Sequence, residues 1–126
     1  MALHWKELRV WEKAHELVLE IYKTTSCFPA SETYNLTGQL RRAASSVPAN
    51  IVEGQSRNTT REYLKFLYNA RGSLEEVRYF LLLARDLLFL DDIHYTKLEN
   101  NYESASRMLN GLIRSLREPA AGHANP

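Results

Sequence analysis

The sequence predicts an all-α protein, an antiparallel up-down-up-down four-helix bundle. Four segments carry apolar residues at helical spacing, and no segment shows the alternating pattern of a strand. The connections between these segments are short, which favours antiparallel neighbours. A chain of 126 residues fits one domain. We therefore expect a bundle over residues 1–118, with helices at about 5–25, 33–56, 60–89 and 92–117, and a flexible tail at 119–126.

The first helix has an unusually wide apolar face. One stripe contains Trp11 and His15, and a second stripe beside it contains Ala14 and Leu17. His15 lies in an apolar stripe, so it is interpreted as a hydrogen-bonded packing histidine rather than a catalytic one.

The second helix contains a proline in its interior. It is expected to begin between Ser31 and Leu36, with Ser31 as N-cap and Glu32 in the first turn. Pro48 removes a backbone donor and costs roughly 3 kcal/mol or more inside a helix. We expect a kink there, with carbonyls freed near Ala44 satisfied by serine hydroxyls or water.

The third helix is the longest and most apolar. Thr59 or Thr60 is its expected N-cap. One apolar stripe runs through Val77 and a parallel stripe runs through Leu74. Because a helix of a single bundle needs to bury only one face, two stripes predict a second partner surface and self-association.

The fourth helix is expected to begin at an N-cap of Asp91 or Asp92 and to stop before Pro119. A regular heptad seam runs along it, formed by Tyr95, Leu98, Tyr102, Ala105, Leu109, Leu112 and Leu116.

Composition argues against several classes of protein. The histidines are scattered, the single cysteine is Cys27, and no phosphate-binding glycine loop or nucleophile elbow is present. We therefore expect no metal, no cofactor and no enzymatic activity. Without a long apolar run or a secretory leader, the expected location is the cytoplasm, away from membranes.

Positive charge is concentrated in the middle of a chain whose net charge is only +1. Residues 39–78 carry seven Lys/Arg against four Asp/Glu. Two interpretations of this bias are open. One is salt bridging along solvated helix faces, and the other is a phosphate-binding rim at the connection between the second and third helices. The residues of this candidate nucleic-acid-binding rim are Arg41, Arg42, Arg57, Arg61 and Lys65.

Two further patterns have structural interpretations. Arg71, Arg78 and Arg85 recur every seven residues, and Glu75 is placed to pair with both Arg71 and Arg78. The tyrosines are interpreted as core or interface groups with the hydroxyl at the edge, and base stacking is the alternative.

Three motifs together resemble the four-helix-bundle family of 23S rRNA-intervening sequence proteins. The first is Arg41-Arg42-Ala43, the second runs from Pro48 through Asn50 and Glu53 to Gly54, and the third contains Arg71, Gly72 and Ser73. The similarity extends from about Leu8 to Leu90, and the fourth helix matches only in pattern.

The resemblance implies a bacterial, cytosolic bundle that assembles as a ring, typically a homopentamer. The family also looks related to the accessory variability protein of diversity-generating retroelements, a basic pentamer that binds nucleic acid and a reverse transcriptase. This chain departs from that strongly basic character, since its isoelectric point is near 7.9.

The expected function is that of a non-enzymatic homo-oligomeric adaptor associated with structured RNA or with a nucleic-acid-processing protein. The alternative is a structural or protein-interaction module without nucleic-acid contact. Within the bundle, Gly72 and Ser73 are expected to offer a small patch to the small residues of the second helix. A polar network across the kink is expected to join Arg41, Arg42, Asn50 and Glu53, in which Glu53 offsets one arginine and Asn50 fixes a helix contact.

Overall fold

A computed structural model describes residues 4–118, which form an all-α four-helix bundle without a strand in that range. The tail at 119–126, including Pro119, lies outside the described residues. The helices are α1 (Arg9–Thr25), α2 (Leu36–Gln55), α3 (Thr60–Asp86) and α4 (Asp92–Arg117).

Helix α1 begins later than expected because a separate 3₁₀ turn precedes it. This turn spans Trp5–Glu7, and the side chains of His4 and Glu7 cap it reciprocally. The His4 amide donates to the Glu7 carboxylate at 2.9 Å. Leu8 is extended and separates the turn from α1.

Helix α2 is capped by a different residue from the one predicted. Ser31 lies in a 3₁₀ turn, Ala30–Glu32, rather than at the helix start. The Glu32 carboxylate accepts from the amide of Leu36, the first helical residue, at 3.2 Å. A carboxylate at this end also interacts favourably with the helix dipole. Pro48 lies inside α2 and is buried, and the kink of the helix there stays a prediction.

Helices α3 and α4 begin at side-chain caps. Thr59 accepts from the Glu62 amide at 3.1 Å, and Asp91 accepts from the His94 amide at 2.8 Å. Helix α3 ends at Asp86, earlier than expected, in a Schellman-type turn in which the Phe89 amide donates to Ala84.

One buried seam runs along α3, where two separate stripes were expected. It takes Ala70, Val77 and Ala84 from one stripe and Leu67, Leu74 and Leu81 from the other. The remaining members of both stripes flank it and are partly or fully exposed. The buried residues of α3 are Leu67, Ala70, Leu74, Val77, Leu81 and Ala84. This seam weakens the inference from two stripes to a second partner surface, because both contribute to the same core.

The second stripe of α1, with Ala14 and Leu17, supplies most of its buried residues. Helices α2 and α3 share the most extensive contact of any pair in the described chain. Along this contact Ser46 of α2 lies against Ser73 of α3. Gly54, which comes later in α2, lies against Phe66, which comes earlier in α3. That order is the one the predicted antiparallel arrangement requires. No helix within residues 4–118 has the length and hydropathy needed to cross a membrane.

Candidate nucleic-acid interface

The connection between α2 and α3 presents three of the predicted rim residues. Arg57, Arg61 and Lys65 are all exposed there. Arg57 pairs with Glu53 at 3.0 Å, and its guanidinium lies over the Phe66 ring at 4.7 Å from the centroid. Arg61 and Lys65 lie one turn apart at the start of α3, and neither makes an ion pair within residues 4–118. Two uncompensated cations on one exposed face can contact a phosphate backbone.

Arg41 and Arg42 do not join this rim. Both lie in the first two turns of α2, and the 13 residues from Arg42 to Gln55 correspond to about 20 Å of helix. The interpretation of five residues as one cluster is therefore wrong. The interpretation grouped residues from opposite ends of a 20-residue helix, and the length of that helix keeps them apart.

Arg41 has a packing role at its own end of the bundle. Its Nε donates to Thr25 Oγ1 at 2.9 Å, and Nη2 donates to the Tyr22 carbonyl at 3.3 Å. The guanidinium also lies over the Tyr22 ring at 4.5 Å. Arg41 thus joins α2 to the last turn of α1. Arg42 is exposed, and its side chain has no hydrogen bond or ion pair in the described part of the chain.

The expected polar network divides into two separate sets of contacts. Glu53 pairs with Arg57 and not with Arg41 or Arg42, which lie about three turns away. Asn50 Nδ2 donates to the Ser46 carbonyl at 2.8 Å and to Ser46 Oγ at 3.0 Å.

Ser46 carries that network across to α3. Its hydroxyl lies 2.9 Å from Ser73 Oγ, so Asn50, Ser46 and Ser73 form a chain of side-chain hydrogen bonds between α2 and α3. Ser45 donates to the carbonyls of Arg41 and Arg42, a turn before the carbonyl that Pro48 frees. The serine hydroxyls therefore satisfy different carbonyls from those predicted.

The close approach of α2 to α3 depends on Gly54 and not on Gly72. Gly54 is buried, and a Cβ there would lie 2.9 Å from Phe66 Cβ. Gly72 is exposed, and a Cβ there would meet nothing within 4 Å. The predicted small patch of Gly72 with Ser73 is thus half wrong, since only Ser73 faces α2.

The arginine row on α3 is divided among different partners. Arg78 pairs with Glu75 at 3.2 Å and reaches across to Glu99 of α4, with Nε 3.1 Å from Oε2. Its hydrogen bonds to Glu99 are the main reason that the pKa of Arg78 is raised. Arg71 does not pair with Glu75, contrary to expectation. It donates to Asn110 Oδ1 of α4 at 3.3 Å instead.

Arg71 also borders a cavity of about 400 Å³ that sequence reasoning missed. The other lining residues come from the last two turns of α4 and its C-cap, and they are Asn110, Ile113, Arg114, Arg117 and Glu118. Residues 71 and 114 are far apart in the chain, and only the helix packing brings them together. The one signal in the sequence is that Arg114 and Arg117 have no acidic residue one turn before them.

The histidines within residues 4–118 belong to no group of metal ligands. No group of three or more His, Cys, Asp or Glu side chains in the described chain is placed to hold a metal ion. His15 is exposed and stacks on Trp11, with ring centroids 5.2 Å apart and planes 4° apart. His15 therefore packs against an aromatic ring, as a packing histidine was expected to do, but it does so at the surface and without a side-chain hydrogen bond within residues 4–118.

The tyrosines differ widely in their surroundings. Tyr102 is 1% exposed, and its buried hydroxyl has no hydrogen-bond partner in the described structure. Burial raises the pKa of Tyr102, and it raises the pKa of Tyr63 to about 12. Tyr34 and Tyr79 are exposed, so they are not core groups, and their place at an interface stays a prediction.

Comparison with known proteins identifies related sequences and folds. The model of the family described as 23S rRNA-intervening sequence protein matches residues 6–111. Among solved structures, the chain is similar to the crystal structure of a protein of unknown function from the S23 ribosomal protein family of Bacteroides thetaiotaomicron. The two share 20% identity with a TM-score of 0.77, over 83% of this chain and 95% of that chain. At this identity the likeness shows the fold alone. No curated protein sequence gives a significant match.

Proposed function

We propose a function for the chain, which belongs to the 23S rRNA-intervening sequence protein family. The protein is a non-enzymatic, homo-oligomeric adaptor in the bacterial cytoplasm, and it associates with structured RNA or with a nucleoprotein. The observation that carries the proposal is the pair of exposed cations at the start of α3, Arg61 and Lys65, neither of which forms an ion pair within residues 4–118 although Glu62 lies between them in the chain. Arg57 beside them is partly neutralised by Glu53.

One subunit offers too few contacts for tight binding. Affinity for a phosphate backbone grows with the number of cations that contact it, and the net charge of the whole chain is only +1. A symmetric oligomer repeats the rim around its axis, and linked weak sites then bind at high effective concentration. Self-association is therefore part of the same proposal, with a pentamer expected from the family resemblance.

The test of RNA association is fluorescence anisotropy with a structured RNA at low salt. We expect binding to weaken with salt, and the double variant Arg61→Gln/Lys65→Gln to reduce the slope of log K against log salt by about 0.9 for each phosphate that is no longer neutralised. The matched control Lys97→Gln/Arg107→Gln removes the same charge from α4 and should leave the slope unchanged. Absence of binding to any structured RNA at low salt contradicts the proposal.

The oligomeric state is tested separately by light scattering coupled to size exclusion. Exposed side chains on and just after α3, such as Tyr79 at 57% and Leu87 at 48% exposure, support an interface between copies. A monomer mass at micromolar protein contradicts self-association, whatever the result with RNA.

A protein-interaction module without nucleic-acid contact is the second candidate. Exposed apolar side chains near one end of the bundle favour it, because Leu88 is 88% exposed and Ile93 is 80% exposed. An oligomer that binds no RNA, and that loses assembly when Leu88 and Ile93 are replaced by serine, supports this candidate over the adaptor.

A further inference from the structure

We propose that the cavity between α3 and the end of α4 is a binding site for a phosphate monoester. It has a volume of about 400 Å³, and three arginines, Arg71, Arg114 and Arg117, are among the residues that line it. The proposal goes beyond RNA association, since a free phosphate ester would fill the cavity in a protein that never meets RNA.

Within the described chain, Arg71, Arg114 and Arg117 share with Arg61 the lack of a carboxylate partner, whereas the other arginines of α3 and α4 have one. Arg78, Arg85 and Arg107 each lie within 4.0 Å of an acidic side chain. Arg71, Arg114 and Arg117 make no ion pair within residues 4–118, although Glu118 is also part of the lining. Three cations that line one cavity with a single carboxylate repel one another, and an anion bound between them reduces that repulsion.

The charge balance favours a doubly charged ligand. The lining carries three positive charges and one negative charge from Glu118. The carbonyl end of α4, which Arg114 and Arg117 flank, contributes about half a further negative charge. The net charge of the lining and the helix end is therefore between one and two positive charges. This is close in size and opposite in sign to the charge of roughly −1.5 to −2 that a phosphate monoester carries at neutral pH.

Geometry within the cavity supports guanidinium recognition of a phosphate. Arg71 is only partly exposed and is oriented on two sides, by the hydrogen bond to Asn110 Oδ1 at 3.3 Å and by the Tyr68 ring at 5.1 Å. An oriented guanidinium loses little freedom on binding and donates two parallel hydrogen bonds to phosphate oxygens. Arg114 is exposed and lines the same cavity, so its donors are accessible to a ligand.

The volume sets the size of the ligand. Sites of about 300 to 1,000 Å³ accommodate small organic molecules, so this cavity holds more than an inorganic anion. Ile113, which is 2% exposed, adds an apolar wall beside the charged groups. A phosphate attached to a sugar-sized or nucleoside-sized group satisfies both features.

The test is isothermal titration calorimetry of the full chain with adenosine monophosphate, with inorganic phosphate, and with adenosine as the uncharged control. We expect both phosphates to bind and adenosine not to bind. Arg114→Gln should weaken binding of adenosine monophosphate roughly tenfold, the loss expected for one hydrogen bond between charged groups. Arg114 is exposed, so this variant should fold normally.

Two further variants separate a site from general charge. Glu118→Gln removes the repelling carboxylate and should tighten binding, the opposite sign from Arg114→Gln. Arg107→Gln removes one positive charge from the same helix outside the cavity and should change nothing. Failure of both phosphates to bind at low salt overturns the proposal, and so does an equal loss in Arg107→Gln and Arg114→Gln.

A last pair of probes distinguishes the source of the phosphate ester. A short RNA with a 5′-phosphate is compared with the same RNA carrying a 5′-hydroxyl. Tighter binding of the phosphorylated RNA than of its 5′-hydroxyl counterpart, with the difference abolished in Arg114→Gln, supports the site and assigns it to an RNA end. Binding of adenosine monophosphate without discrimination between the two RNAs supports the site and assigns it to a free ester. Neither result depends on Arg61 and Lys65, so this proposal and the RNA rim can fail independently.

Discussion

Gly54 lies against Phe66 so closely that a Cβ at position 54 would be 2.9 Å from Phe66 Cβ and 3.2 Å from the carbonyl oxygen of Tyr63. The neighbours are a β-carbon and backbone, which cannot move aside without shifting α3. The end of α2 therefore approaches α3 at a distance that only glycine permits.

Replacing Gly54 by alanine should destabilise the bundle by about 1–3 kcal/mol, the usual range for overpacking. Chemical denaturation measures the loss of stability. Gly72→Ala is the matched control, because that site is exposed and open, and it should gain roughly 0.5–1 kcal/mol from helix propensity. Equal and small effects at both sites would contradict the close approach.

Tyr102→Phe should not lower stability, and we expect a gain of about 1 kcal/mol. The hydroxyl is buried without a partner, and burial of an unpaired hydroxyl costs about 1–3 kcal/mol. The free energy of unfolding in urea measures the change, with Tyr34→Phe, at a 96% exposed site, as the neutral control. A loss of stability in Tyr102→Phe would mean that the hydroxyl has a partner.

Leu88→Gly should stabilise the protein by about 1 kcal/mol. Leu88 occupies the left-handed position of the turn after α3, with φ at 67°, where a residue with a Cβ is strained by roughly 1–2 kcal/mol. Its side chain is 88% exposed, so the substitution sacrifices little burial.

Leu87→Gly is the control for this turn, because Leu87 has an ordinary φ of −83°. It should destabilise, since glycine there only adds freedom to the unfolded chain. Thermal unfolding of the two variants at one protein concentration compares them. A destabilised Leu88→Gly would indicate that the exposed leucine is covered in solution.

Asp91 should make the start of α4 sensitive to acid. Hydrogen bonds from the backbone and ring of His94 lower the pKa of this carboxyl below its ordinary 3.8. Because the pKa is lower in the folded state, the ionised Asp91 carboxylate stabilises the folded protein fully at pH values above 3.8. This stabilisation is lost as the pH falls through the folded-state pKa. Asp91→Asn keeps a capping side chain but not the charge.

The measurement is the difference in unfolding free energy between Asp91→Asn and the unaltered chain as a function of pH. We expect the unaltered chain to be more stable near neutral pH and the difference to shrink in acid. A difference that stays constant down to strongly acidic pH would show that the carboxylate charge is not its source.

Local chemistry makes several elements predictable. The sequence offers two adjacent N-cap candidates for α3 and two for α4, and the structure has Thr59 and Asp91 as the caps. A short polar side chain just before an apolar periodic run favours this role. The all-α class follows from apolar spacing and the family from the motifs around Pro48, Gly54 and Arg71, and both predictions are confirmed.

Predictions that join distant residues are less successful. Arg41 and Arg57 fall in one predicted rim by sequence proximity, yet most of a helix separates them. Gly72 is the predicted contact glycine, whereas Gly54 makes the close approach. Periodicity does not say which side of a helix faces which neighbour.

The sequence by itself determined the class of fold, the caps of α3 and α4 and the family to which the chain belongs, since these depend on spacing and motifs within single segments. Only the tertiary structure decided that Arg78 donates to Glu99 and that Arg71 donates to Asn110. It also decided that three arginines from α3 and α4 line one cavity. Those contacts depend on the rotation and axial shift of one helix against another. Both are set by side-chain packing across the whole core, which no single segment encodes.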